Sequence, residues 1–523
     1  MNGMLKRTST LLAPVIVLLW IAAAAPLNAQ TTMLHSFEYA TTNGANPQGD
    51  VLIVGDTLYG MTYYGGSAGY GTIFRVDTDG TDFEILHDFD QVAGNGCLPY
   101  GSLVTDGTAL YGMTFQGGLV TPTSAGGGVV FRIGMDGSGY TDLHEFAGYP
   151  AGDGAAPLGS LVLNGTTLYG MTSSHGVYFG GTVFSIETDG SGYQTLHHFR
   201  SSYPYDGGHE PHGSLVVDGD TLYGTASKGG DGSGSYGGTV FSLQTDGSGF
   251  TLVHVFQEYD GYSPAGTLRL DGSTLYGTTG VGGAYSGGVV FAVETDGSDF
   301  ELLHEFDNAV EGTRPEGALT LVSGKLYGMT SVGSHIFAVD PDGSGYEVVH
   351  DFTGCDDDPE LADGWEAKGS LSFDGATLYG MTRTGGLCGA NDGEVFALPL
   401  APVTVAAAFT CVPDSGVVPF QTAMTVELAN PYTATRRLAA RIDIDLAGGM
   451  HVTSWRAGFT NVAGGDAHTT AWLQTIPALG SVIGINTFQV LAEDVTPAPF
   501  NQPPHPPAGQ TATAACTVEG IAP

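Results

Sequence analysis

Basic side chains are scarce in this 523-residue chain: 15 Lys and Arg stand against 54 Asp and Glu, a formal net charge of −39 at pH 7. Such a surface repels phosphate backbones and anionic lipid, which argues against nucleic-acid and membrane-surface roles. Long apolar runs are also lacking. After the first thirty residues no stretch approaches the ~18 apolar residues of a membrane-spanning helix, and no segment shows helical periodicity. Cysteine is sparse, with five residues, too few for a disulfide framework. Cys411 and Cys516 bracket the last segment and read as one bridge, and Cys355 and Cys388 read as a second. Cys97 is left over and is expected to be a buried thiol. Charged residues make up only 13% of the chain and hydrophobic residues 42%, so this is not the composition of a disordered acidic tail.

The one long apolar run, Leu11 to Ala25, follows Lys6 and Arg7 and precedes Leu27-Asn28-Ala29. A basic region, an apolar core and a small residue before a cut make residues 1–29 a secretory signal peptide, excluded from fold reasoning. Without it, 13 basic residues face 54 acidic ones. No Cys follows the run closely, so a lipid anchor is not expected. The expected location is extracellular, at the cell surface or periplasmic.

Glycine, at 83 residues, is abundant and periodic. The phrase Leu-Tyr-Gly recurs with its Tyr at positions 59, 111, 169, 223, 276, 327 and 379, spaced by 51 to 58 residues. A period in this range marks a propeller, solenoid or array. Each unit runs through a Gly-Ser-Leu-Val-type strand, an Asn-Gly or Asp-Gly turn and the Leu-Tyr-Gly strand. A glycine-rich loop follows, then a strand such as Thr182–Ile186, a Thr-Asp-Gly-Ser-Gly turn and a strand ending His-x-Phe. That makes four short strands joined by hairpin signals. In Leu168-Tyr169-Gly170-Met171-Thr172 the alternation sends Leu168 to one face and Tyr169 and Met171 to the other, so both faces are apolar, as in stacked blades. The phase decides between ring and solenoid. Thr31–Phe37 is a fourth strand with no first three, and Glu394–Leu398 is a third strand with no fourth. The chain therefore reads as all-β: a seven-bladed β-propeller over residues 30–399, its N-terminal strand closing the last blade. From about Ala401 composition shifts, and alternating runs at 424–428, 441–446, 469–474 and 487–492 predict an immunoglobulin-like β-sandwich over residues 400–523.

With every element in order over residues 31–399, the unit resembles the bacterial GloVer tandem repeat of exported "choice-of-anchor" proteins. The resemblance implies a propeller and an exported protein but names no activity. The C-terminal Gly520-Ile521-Ala522-Pro523 shows no hydrophobic or sortase-like anchor, so either the protein is released or the sandwich attaches it.

Seven copies of one residue at one blade position are scaffold, which removes the His of His-x-Phe and the repeated Tyr, Met and Thr from the candidates. Asp77–Asp82 and Glu294–Asp299 gather carboxylates as calcium loops do, but read as ordinary hairpin turns. The informative residues break the symmetry. In a four-stranded antiparallel blade the loops after strands two and four share one end, and here those loops vary while the others are monotonous. On that face Tyr63, Tyr64, Tyr70 and Phe115, with Tyr178, Phe179, Tyr236 and Tyr285, offer flat apolar surface with polar tips, suited to sugar rings or a protein partner, or else simply pack loops onto blades. His209 and His212, flanking Glu210-Pro211, are a candidate metal pair. Asp356, Asp357 and Asp358, with Trp365 nearby, form the densest acidic patch, suited to Ca²⁺ or a basic group or simply solvated. Arg314, Glu316, Arg383 and His212 are ionisable singletons of the kind that would converge at an enzyme's channel mouth. No nucleophile with a paired base, closed metal set or cofactor fingerprint is visible, and no cofactor other than Ca²⁺ is suggested. A monomeric, non-catalytic binding or scaffold protein for a glycan or protein ligand is expected. The alternative is a propeller lyase or hydrolase acting on extracellular polysaccharide.

Overall fold

In a computed structural model of the chain, residues 31–400 are described apart from 40–42, 91–94, 119–125, 149–150, 203–206, 231–236, 258, 308–310, 353–363 and 386–391. Beyond residue 400 only the backbone of five strands is described. The described residues are all-β, and no helix among them is long and apolar enough to cross a membrane. Seven antiparallel sheets follow one plan, here called blades 1 to 7 in chain order. In blade 3 the strands Val162–Asn164, Thr167–Thr172, Phe179–Glu187 and Gln194–Arg200 pair in sequence. Blade 7 departs from the plan as its sequence phase requires. Its first three strands, Ser372–Phe373, Thr377–Thr382 and Glu394–Pro399, are completed by Thr32–Ser36, which pairs antiparallel with Glu394–Pro399. The two ends of the propeller sequence thus share one blade, and Glu394–Pro399 is paired on both sides like the third strand of every other blade.

The two-faced pattern of the Leu-Tyr-Gly strand explains how blades stack. Leu168 packs toward blade 2, against Tyr111 and Met113, whereas Tyr169 and Met171 pack toward blade 4, against Leu215, Leu222 and Phe241. The same arrangement closes the ring: Tyr379 and Met381 of blade 7 meet Leu58 and Phe74 of blade 1. The glycine of the phrase makes room within its own sheet. A Cβ on Gly170 would lie 2.6 Å from Cζ of Phe184, its cross-strand partner, and the equivalent ring crowds the glycine in all seven blades. The phenyl ring covers the bare glycine, and Phe184 is fully buried.

A second set of glycines closes the axis. Gly49, Gly101, Gly159, Gly213, Gly266, Gly317 and Gly369 each precede a first strand. A Cβ on any of them would fall under 3.0 Å from the carbonyl oxygen of the next, with Gly369 returning to Gly49. The residue after each glycine continues the ring through hydrogen bonds. The Ser102 N–H donates to Ser160 Oγ at 2.7 Å, Ser160 to Ser214 Oγ at 2.8 Å, and Ser214 to Thr267 Oγ1 at 2.9 Å. Ala318 donates to Ser370 Oγ, Ser370 to the Asp50 carboxylate, and Asp50 to Ser102 Oγ. Ala318 has no hydroxyl, so it cannot accept from Thr267, and the belt has one gap. Burial raises the Asp50 pKa, against the hydrogen bonds from Ser370 and Ser102.

Blade 2 carries a fifth strand, Gly96–Pro99, on the elongated Ala109–Gly117. Cys97 lies in it as a free, fully buried thiol whose pKa burial pushes up to about 11. After residue 400, Phe409–Cys411 and Phe488–Glu493 flank Thr511–Val518, while Leu438–Leu446 pairs with Met450–Phe459. The Cα atoms of Cys411 and Cys516 are direct cross-strand partners. The expected runs at 441–446 and 487–492 fall on strands of this segment. Those at 424–428 and 469–474, and the residues Cys355 and Cys388, lie outside the described residues.

Candidate binding face at the axial mouth

Before each axial glycine the chain crosses from one blade to the next in a short strap: Asn46-Pro47-Gln48, Leu98-Pro99-Tyr100, Ala156-Pro157-Leu158, Glu210-Pro211-His212, Ser263-Pro264-Ala265, Arg314-Pro315-Glu316 and Glu366-Ala367-Lys368. The first residue of each strap is bonded on both sides. The Ala156 N–H donates to the Gly127 carbonyl of blade 2 while its own carbonyl accepts from Ser173 N–H of blade 3, at 2.8 and 3.1 Å. The Glu210, Ser263 and Arg314 straps repeat this pattern. Fixing both backbone groups between two blades forces a left-handed turn: all seven residues have φ between 52° and 60°. Proline at the next position also disfavours the right-handed helical region.

None of these seven residues is glycine, although glycine adopts that conformation without strain and fills most other positive-φ positions among the described residues. A left-handed non-glycine residue costs on the order of 1–3 kcal/mol, and such strain concentrates at functional sites. The side chains are all but unrelated to one another: Asn, Leu, Ala, Glu, Ser, Arg and Glu. The third strap residue stands beside the axial glycine, so the seven straps make two concentric rings around the axis.

Charge gathers on these rings. Of the nine Lys and Arg between residues 31 and 399, four lie here: Lys228, Arg314, Lys368 and Arg383. Lys228 Nζ meets Glu210 Oε2 at 2.8 Å, and Arg383 Nη1 meets Glu366 Oε2 at 2.6 Å. Glu316 is shared: Oε1 faces Arg314 Nε and Oε2 faces Lys368 Nζ, both at 3.4 Å. His212 stands among Glu210, Lys228, Glu316 and Lys368, and burial lowers its pKa, which keeps the imidazole neutral at pH 7. On the other side of the rim Tyr63 packs edge-on against Tyr64 and Tyr100, with ring centroids 4.6 and 5.9 Å away. Burial, then Tyr64 and Tyr100, push the Tyr63 pKa up to about 12.

The expected singletons Arg314, Glu316, Arg383 and His212 therefore share one rim, where Arg314 and Glu316 form an ion pair. The aromatic candidates are only partly collected. Tyr63 and Tyr64 join at the rim and Tyr70 is half-buried behind them with its carbonyl on the Leu98 N–H, but Phe115 lies not in a loop but within the elongated second strand of blade 2, where the extra strand Gly96–Pro99 prolongs the pairing. Tyr178 lies outward, its ring 4.0 Å beneath the Arg200 guanidinium. Phe179 belongs to the third strand of blade 3, opposite Arg200, rather than to the loop before it. Tyr285 and Trp365 are exposed on blades 5 and 7. His209 is buried with its backbone bridged to Lys228. Among the described residues no three His, Cys, Asp or Glu side chains come together as a metal ion would need. Tyr236, Asp356, Asp357 and Asp358 lie outside the described residues. Missed in the sequence were Gln48, Tyr100, Lys228, Glu366 and Lys368. For Gln48 and Tyr100 the signal is the x-Pro-x-Gly repeat behind its varying side chains, whereas Glu366 and Lys368 flank Ala367, which stands where the other straps have proline, and Lys228 lies outside the straps.

On the opposite face the Asp-Gly turns use their own carboxylates. Asp79 Oδ1 accepts the Thr81 hydroxyl and N–H at 2.6 and 2.9 Å, and these bonds hold Asp79 below the usual carboxylate range. The same Asx turn recurs at Asp136 and Asp296 with Ser138 and Ser298.

The Gloeobacter/Verrucomicrobia repeat matches residues 21–236 and 204–396, well over half of the chain. The chain belongs to that repeat family. No curated protein matches it. Among solved structures, all of low identity, one is described as a nidogen/laminin complex (15% identity, 58% of this chain, 94% of that one, TM-score 0.35). Another is the GH74 enzyme of Niastella koreensis (13% identity, 83% of this chain, 60% of that one, TM-score 0.46). A third is an oligogalacturonate lyase in complex with manganese (12% identity, 71% of this chain, 96% of that one, TM-score 0.42). Similarities at this level point to no activity. In this member of the Gloeobacter/Verrucomicrobia repeat family, chemistry has to be argued from the rim itself.

Proposed function

We propose that this protein is an exported, non-catalytic binding protein whose axial mouth holds a glycan or protein ligand at or outside the cell surface. One observation carries the reading: seven strained, non-glycine strap residues keep one backbone conformation while displaying six different kinds of side chain around the axis. A scaffold position would repeat its side chain, and a position without a role would take the glycine this chain uses so freely. Export rests on the signal-peptide pattern of residues 1–29.

A second reading, a propeller enzyme acting on extracellular polysaccharide, draws on the convergence of Arg314, Glu316 and Lys368 beside a neutral His212. Against it, the rim carboxylates Glu210, Glu316 and Glu366 are each tied to a cation, which suits recognition better than proton transfer. A glycan array probed with the full chain, followed by mass spectrometry of every captured glycan, separates the two. Capture of intact glycan supports binding, and shortened or unsaturated products favour the enzyme. If no glycan is captured and no protein is retained from the cell envelope, the reading of the mouth as a binding face fails.

A further inference from the structure

We infer that the ligand of the mouth is an acidic sugar, a short glycan carrying a uronate carboxylate, seated over blade 5; this rests on the reading of the mouth as a glycan-binding face. Blade 5 is where the rim is missing its side chains. It supplies Ser263, Ala265 and Gly280 at the strap and at the start of the loop after the second strand. Every other blade places at least one larger side chain there. The small side chains of blade 5 therefore stand between His212 of blade 4 on one side and the Arg314–Glu316 strap of blade 6 on the other. A Cβ on Gly280 would lie 3.8 Å from Glu316 Cγ, so the Glu316 side chain borders this stretch directly.

The charge at this place is the opposite of the molecule's. Glu316 lies between Arg314 and Lys368, one carboxylate against two cations, so among the described residues this trio carries one surplus positive charge in a chain of net −39. Arg314 turns its Nε edge to Glu316 while its side chain is 56% exposed. The terminal fork of an arginine held this way suits a carboxylate, which guanidinium binds through two parallel hydrogen bonds. A monoanion matches the single surplus charge, whereas a phosphate dianion would also face the carboxylate of Glu316. The neutral imidazole of His212 and the hydroxyl of Ser263 bring groups that donate to and accept from sugar hydroxyls. Further round the rim, Tyr63 and Tyr100 offer ring edges and faces of mixed polarity.

The surrounding negative surface sets the ligand's length. Charges are screened beyond about 8 Å at physiological salt, so a carboxylate at the mouth feels mainly the trio Arg314, Glu316 and Lys368, whose sum is one positive charge. A long polyanion must also lie along the acidic periphery and is repelled there. Short oligomers or chain ends should therefore bind better than polymer.

The experiment is calorimetric titration of the full chain with trigalacturonate, with its neutral methyl ester, and with triglutamate. Expected are saturable binding of trigalacturonate and at least tenfold weaker binding of the ester. Arg314→Gln and Lys368→Gln should each lose about tenfold, the scale of one hydrogen bond to a charged group. Arg75→Gln, whose partner Glu84 lies on the fourth strand of blade 1 away from the mouth, should leave binding unchanged. Circular dichroism melts confirm that the variants fold. Equal affinity for acid and ester overturns the requirement for charge while the glycan-binding reading stands. Triglutamate binding as tightly as trigalacturonate overturns the sugar in favour of an acidic peptide. No binding of trigalacturonate alongside capture of another glycan overturns the inference alone. No capture of any glycan overturns the reading beneath it as well.

Discussion

Two sevenfold belts of this propeller follow opposite rules. In the outer belt the His of each fourth strand stacks on an aromatic ring of the next blade. His35 on Phe83, His144 on Tyr193 and His254 on Phe300 have centroids 3.5 to 3.8 Å apart and planes within 5° of parallel. His87, His197 and His304 repeat the stack. The seventh, His350, meets the Thr31 hydroxyl at 3.3 Å instead, because the fourth strand of blade 7 arrives from the N-terminal end of the propeller. Three of the rings also reach a loop carboxylate: His144 to Asp153, His254 to Asp260 and His304 to Glu311. In the inner belt the backbone is held constant by the straps while the side chains change at every blade. Where the neighbour is another blade, the residue repeats. Where it is the space above the axis, only the conformation repeats.

Breaking the repeating side should have the largest effect. Removal of Thr31–Phe37 strips the outer strand from blade 7, exposes the edge of Glu394–Pro399 and takes the fully buried Phe37 out of the core between blades 7 and 1. The expected outcome is loss of cooperative unfolding and of protease resistance, read by denaturant titration and limited trypsin digestion. A truncated chain that unfolds as sharply as the intact one would mean that the ring does not depend on its seam.

The boundary between the belts can be tested at two adjacent residues. Gly213 is axial, and a Cβ there would lie 2.6 Å from the Gly266 carbonyl oxygen, backbone that cannot step aside. His212, one residue earlier, belongs to the rim. Gly213→Val should cost on the order of 3 kcal/mol, as overpacking a tight contact does, whereas His212→Ala should stay within about 1 kcal/mol. Equal losses in urea unfolding would show that the rim is as structural as the axis.

The same division decided what could be read from sequence. The blade count, the closing strand and the opposite orientations of Leu168 and Tyr169 were legible because seven copies repeat them and each copy obeys a period of two. The rim was not. Arg314, Lys368 and His212 are far apart in the chain, and the left-handed backbone that presents them is one that sequence habit assigns to glycine. The glycines after Phe179, Gly180 and Gly181, look like a turn in sequence, yet the third strand of blade 3 runs through them. In the C-terminal segment, Met450–Phe459 pairs with Leu438–Leu446, but its alternation is interrupted at Trp455-Arg456-Ala457-Gly458, so the sequence pattern does not mark it as a strand.

Acid should weaken the outer belt. Burial lowers the pKa of His35 and of His197 to about 4, with His198 adding to the effect at His197. Because the folded values lie below the unfolded value of about 6.5, the unfolded chain binds more protons between them. The stabilisation is therefore complete above pH 6.5, falls as pH drops toward 4 and is flat below. At about 1.4 kcal/mol per pKa unit, and with partial solvent screening, each ring contributes on the order of 2 kcal/mol. Asp142 works against this trend: burial raises its pKa to about 6, so acid relieves it over part of the same window. His197→Phe keeps an aromatic stack on Phe250 and should shallow the acid limb of a stability–pH curve. A variant curve parallel to the parent's would place the acid sensitivity elsewhere.

The smallest expected effect lies on the rim, and its smallness is the point. Lys228 and Glu210 form an ion pair at 2.8 Å, but their side chains are 45% and 35% exposed. An exposed pair of this kind contributes about 0–1 kcal/mol. In a double-mutant cycle of Lys228→Gln and Glu210→Gln the coupling energy for folding should fall in that range and shrink further at high salt. Glu210 pays for its left-handed conformation with strain that such a pair does not offset. Glu210→Gly should therefore leave stability unchanged or raise it, because glycine takes φ near 56° freely and no core contact is lost. A loss of more than about 1 kcal/mol in Glu210→Gly would make the strap side chains part of the scaffold and erase the difference between the two belts. A gain accompanied by weaker ligand binding would show that the chain keeps strained side chains on this face for what they touch outside it.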